Sequence, residues 1–158
     1  MIPSEAIIDS LKSTEKESLL EEMVQVLINA GRIDEGALSG IVEALMGRED
    51  LGSTGIGKGV AVPHAKHESV HGLVAAFGRS REGIEFAVLD GQPVKLVFLI
   101  LSSKEHSGQH LGALARVARL VRDDRFCRFL REAEDAKGLA DLFAEADAQT
   151  NVDGAESG

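Results

Sequence analysis

Apolar residues recur at helical spacing through the first third of the chain. Leu19, Leu20, Met23, Val24, Leu27 and Ile28 make one stripe, and Leu38, Ile41, Val42, Leu45 and Met46 a second. Thr14 and Glu17, three apart, have the spacing of a capping box ahead of the first stripe, and Gly31 marks its end. Asp34 opens the second helix, and Gly47 is its expected stop. The period then changes. Ile7–Ile8, Val60–Val62, Leu73–Phe77 and Val94–Leu101 read as strands, and the last, wholly apolar, has the pattern of a strand buried on both faces at the centre of a sheet.

Gly91, Gln92 and Pro93 form the turn before that strand, and 102–107 is a polar loop after it. A third helix carries Leu111, Leu114, Ala115, Ala118 and Val121, followed by helices over 124–130 and 135–146. Helices before, between and after strands predict an α/β fold: a single-domain layered sandwich with a central mixed β-sheet and helices on both faces. That domain covers residues 1–147. Residues 148–158 are poor in large apolar side chains and read as a disordered acidic tail.

Composition narrows the function classes. Six Phe without Trp or Tyr in 158 residues make the core aliphatic and leave little for base stacking. The net charge of -9 opposes binding to nucleic acid, which depends on cationic neutralisation of phosphates. A single cysteine, Cys127, excludes an internal disulfide and reads as a packed small residue beside Phe126 and Phe129. No apolar run approaches the roughly 18 residues of a membrane span, and no basic stretch followed by a long apolar one opens the chain, so the expected location is the cytoplasm.

The candidate chemistry lies between Gly52 and His64, in the run Gly-Ser-Thr-Gly-Ile-Gly-Lys-Gly-Val-Ala-Val-Pro-His. Gly52, Gly57 and Lys58 match the core of a nucleotide-binding P-loop. Gly59 stands where that motif needs Ser or Thr, and Val60–Pro63 reads as strand and turn where it needs a helix. His64, His67 and His71 would align as metal ligands only on a helical face, among charged neighbours and without an obvious fourth ligand. The third reading makes His64 a covalent phosphoryl acceptor, with loop N–H groups, the Ser53 and Thr54 hydroxyls and a cation such as Lys58 neutralising the phosphate. His110 supports it. Ser107 is a natural N-cap, which puts His110 in the first turn of the third helix, where the positive helix end favours a neutral ring able to donate to a phosphate oxygen.

At these residues the chain resembles the IIA type 2 domains of the phosphoenolpyruvate-dependent phosphotransferase system, the fructose, mannitol and nitrogen-regulatory kind. The resemblance spans about residues 5–146, through Arg48–Gly57, the Val60–His64 run and His110–Leu111. It implies that His64 accepts phosphate from an HPr-like histidine phosphocarrier protein, and that a IIB-type protein or a regulatory target receives the phosphate or reads it. It also implies that His110 lies beside His64, and that Arg48, Ser53, Thr54 and Gly55 hold the phosphoryl group, with no cofactor. The glycine-rich wording is closer to the nitrogen-regulatory branch. A regulatory binding module toggled by phosphate on His64 stays open beside a relay.

Overall fold

The computed structural model describes residues 2–86 and 90–157. In chain order its elements are β1 (Ile7–Ile8), α1 (Lys16–Asn29), α2 (Leu38–Leu51), β2 (Gly55–Gly57), β3 (Val60–Ala61), β4 (His64–Lys66), β5 (Leu73–Ile84), β6 (Val94–Ser102), α3 (Ser107–Arg122), α4 (Asp124–Glu132) and α5 (Ala136–Ser157). The strands form a single sheet in the order β1-β5-β6-β3-β2, with β4 also paired to β6. It is mixed: β1 runs parallel to β5, β3 and β4 run parallel to β6, and the β5–β6 and β2–β3 pairs are antiparallel.

The apolar run at 94–101 is the sheet centre because both of its faces are covered. Val97, Leu99 and Leu101 pack with the stripes of α1 and α2. Leu96, Phe98 and Ile100 point the other way, with Phe77, into a cluster that includes Val117 of α3, Leu130 of α4 and Leu139 and Phe143 of α5. Alternation along one strand therefore sorts the helices into two layers. Cys127 lies in the second cluster, 5% exposed, where burial raises its thiol pKa and keeps it protonated.

β3 and β4 together act as one interrupted strand beside β6. Ala61 pairs with Val97 and His64 with Ile100, so the register does not slip across Val62 and Pro63. Paired residues share a face. His64 and, two residues on, Lys66 consequently face the α3 layer, while Ala65 faces α1 and α2.

The capping box does not form: Glu15 occupies the N-cap of α1, without a side-chain cap bond. α2 passes through Gly47 and ends at Gly52, whose φ of 154° closes the helix, so Arg48 and Glu49 belong to its last turn. Ser107 is the first residue of α3, with His106 at the N-cap. β2, within the glycine-rich run, and β4 are short strands that complete the sheet edge. α5 runs from Ala136 to Ser157. A helix already nucleated over Leu139 and Phe143 propagates at little cost.

Candidate functional site

His64 sits where β4 and β6 run side by side, and its ring is held by its own strand. Nδ1 lies 2.8 Å from the carbonyl oxygen of Val62. A carbonyl only accepts, so the proton is on Nδ1 and the lone pair of the neutral ring is on Nε2. The residue is half-buried.

His110, in the first turns of α3, faces it. The two ring centroids are 5.5 Å apart, inclined at 62°. His110 is 4% exposed, and its Nδ1 lies 2.7 Å from the hydroxyl of the fully buried Ser102. When that hydroxyl donates to Nδ1, the His110 proton resides on Nε2. Desolvation, and then the proximity of His64 and Lys66, hold the imidazole pKa below its ordinary value, so the ring is neutral at physiological pH. Because it is the folded state whose pKa is depressed, this contribution to stability is complete above 6.5 and falls away as pH drops through the lower folded value. In denaturant melts of the wild type, stability is expected to decline below pH 6.5, and His110→Asn should flatten that decline.

Ser102 and Lys66 escaped the sequence reading, although both carry a legible signal. Ser102 is the polar terminus of the Leu96, Phe98, Ile100 face. Lys66 shares His64's face by alternation, and its Nζ donates to Ser107 Oγ at the start of α3, 3.0 Å away. A cation and a helix N-terminus thus flank the His64 ring.

The glycine-rich loop is built differently from an anion nest. Thr54 donates its hydroxyl proton to Glu49 Oε1, and its backbone N–H to Glu49 Oε2 at 3.2 Å. Ser53 donates its hydroxyl to the Phe86 carbonyl and accepts the Gly55 N–H at 3.0 Å. The Gly52 N–H reaches the Glu49 carbonyl at 3.1 Å. These donors are all bonded within the protein and shape the loop. Thr54 is anchored on Glu49, a carboxylate 7% exposed and paired with Lys16 Nζ at 2.9 Å. The loop is fastened to the site by the Val62 N–H, which donates to the Thr54 carbonyl at 3.0 Å, two residues from His64. Glu49→Ala removes the acceptor of both Thr54 donors and the partner of Lys16. A loss of about 2–3 kcal/mol in folding stability is expected, measurable by urea denaturation, with Glu49→Gln losing less.

Arg48, on the same helix turn, donates from Nη1 to the Gly52 carbonyl at 2.7 Å. One of five guanidinium protons is used in that bond. Lys58 does not join this group. It occupies a tight β2–β3 turn with positive φ at Lys58 and Gly59, at the far end of β3, and its Nζ lies 3.2 Å from Asp124. Val60 and His64 alone are separated by about 13 Å of strand. The P-loop spelling around Lys58 is therefore a hairpin.

The three-histidine metal reading also dissolves. His64 lies on a strand, His67 packs its ring against Gly40 of α2 and accepts the Ser69 N–H, and His71 is exposed in the following turn. Among the described residues, no three His, Cys, Asp or Glu side chains are grouped to share a metal ion.

Comparison with known proteins fits this geometry. The model of the family described as phosphoenolpyruvate-dependent sugar phosphotransferase system, EIIA 2, matches residues 1–146. The chain is 38% identical over 144 residues to a nitrogen regulatory protein of Bradyrhizobium diazoefficiens, covering 91% of this chain and 92% of the relative. It is 40% identical over 138 residues to the fructose-specific EIIABC component of Bacillus subtilis, covering 87% of this chain but spanning only 21% of that much longer relative. Among solved structures, the nitrogen regulatory protein IIA-Ntr of Neisseria meningitidis superposes with a TM-score of 0.80 at 31% identity, covering 89% of this chain and 94% of that one.

Proposed function

The chain belongs to the EIIA type 2 family of the phosphoenolpyruvate-dependent sugar phosphotransferase system, and from that premise we propose that His64 Nε2 is its phosphoryl acceptor. The observation that carries the reading is the Val62 carbonyl bond, which leaves the outward nitrogen of His64 as the nucleophile. The Nε2 lone pair attacks phosphorus of a phosphohistidine on an HPr-like carrier. As the new N–P bond forms, the carrier's N–P bond breaks and its electron pair returns to the carrier imidazole. The phosphorylated His64 ring keeps its Nδ1 proton on the Val62 carbonyl, so its own leaving form is a neutral imidazole, suited to passing the group on.

Charge on the three phosphoryl oxygens is met by His110 Nε2–H, by Lys66 and by the start of α3, with Arg48 at the loop edge. Ser53, Thr54 and Gly55 act by holding the loop in place. Leu51, Ile56 and Leu111, at 86%, 53% and 66% exposure, lie on the elements around the site and suit docking of protein partners in the cytoplasm. Among the described residues no helix is long and apolar enough to cross a membrane. Incubation with enzyme I, HPr and phosphoenolpyruvate is expected to add one acid-labile phosphoryl group by intact mass; no mass gain would contradict the reading.

The onward step divides between a relay to a IIB-type protein and a sensor whose phosphorylation state is read by a regulatory target. The likeness to the Bradyrhizobium nitrogen regulatory protein across nine-tenths of both chains favours the sensor.

A further inference from the structure

At the opposite end of β6 from His64 lies a cationic recess that the phosphoryl site does not use. A cavity of about 170 Å³ is lined by Arg79, Ser80, Arg81, Lys95 and Arg131. Four cations line it and no acid does, in a chain of net charge -9. It forms where the β5–β6 ladder loses register between Arg79 and Ile84, a bulge that opens space beside the start of β6.

Arg79 is the unusual member. It is 2% exposed, and burial lowers the pKa of a guanidinium that nonetheless stays charged. Its Nε donates to the Asp9 carbonyl at 2.9 Å, and its Nη1 to the Leu130 and Ala133 carbonyls at the end of α4. Nη2, with two protons, is buried without a hydrogen-bond partner among the described residues. The hydrogen bonds of this cation go to carbonyls, the carboxylates of Asp9 and Asp135 favour its charge from nearby, and Nη2 is left as a donor without an acceptor. Arg81 is tethered to Ser10 and the Glu134 carbonyl, and with Lys95 and Arg131 it supplies exposed positive charge at the mouth.

We propose that this recess binds a phosphate group, with Arg79 as its buried donor and Arg81, Lys95 and Arg131 as its rim. At 170 Å³ it is smaller than the roughly 300–1,000 Å³ of sites that enclose whole metabolites. It admits the tetrahedral dianion and leaves any attached carbon skeleton outside. Four cations around one recess favour a dianion over a monoanionic carboxylate, and guanidinium groups make charge-assisted bonds to its oxygens. The inference does not rest on the role of His64.

The test is a titration of the full chain, watched through the amide signals of Ser80 and Gly83 and the side-chain Nε of Arg79 by NMR. Inorganic phosphate and glycerol 3-phosphate serve as probes, with acetate as control. Saturable shifts at these signals are expected in the wild type and equally in His64→Ala. Shifts with both probes identify the phosphate group as the ligand, and shifts with orthophosphate alone restrict the site to the free ion. The exposed double variant Arg81→Gln/Lys95→Gln, which leaves the buried bonds intact, should bind about tenfold more weakly or worse. Shifts confined to the surroundings of His64, shifts of equal size with acetate, or undiminished binding in the double variant would each overturn the proposal.

Discussion

His64→Ala is expected to accept no phosphate from the carrier while keeping its fold. The side chain is half-buried at the sheet edge, outside both apolar clusters, so its loss should change stability by less than about 1 kcal/mol. Its chemistry has no substitute nearby. His110 is buried and bonded to Ser102, and His67 packs its ring against α2. Intact mass after incubation with the upstream carrier should show the unmodified protein alone, with unchanged circular dichroism and melting. Full retention of label would move the acceptor elsewhere.

The second large effect belongs to His110. In the proposed mechanism His110→Ala removes one preorganised donor to the phosphoryl oxygens, a change that lowers rates by about 10²–10³ in comparable sites. Transfer from phosphorylated carrier, followed by rapid quench, should slow by that factor while His64 remains the labelled residue. Ser102→Ala should reproduce part of the loss, because the hydroxyl that keeps the His110 proton on Nε2 is gone. A His110→Ala rate within twofold of the wild type would remove this ring from the account.

The layers were legible because one strand carries them. Alternation along Val94–Ser102 divides the core into two, and helical stripes at 19–28 and 38–46 give one layer its partners. The nearness of His110 to His64 was implied by the family resemblance alone, and the two rings lie 5.5 Å apart. The loop was not legible. Its glycines and hydroxyls have the spelling of an anion nest, but a buried Glu49 takes both Thr54 donors, and Glu49 in sequence looks like any surface acid behind Arg48. Its burial depends on α2 continuing through Gly47, which propensity argues against and the Lys16 and Thr54 contacts make possible. Lys58 misled for a related reason: a residue near a motif in sequence can lie at the other end of a strand in space.

The attachment atom is the most direct measure of the central claim. In protein labelled with nitrogen-15 at its histidines and phosphorylated through the carrier, NMR is expected to place the phosphorus on Nε2 of His64, with the proton retained on Nδ1. Phosphorus on Nδ1 of that ring, or on any other residue, would contradict the account.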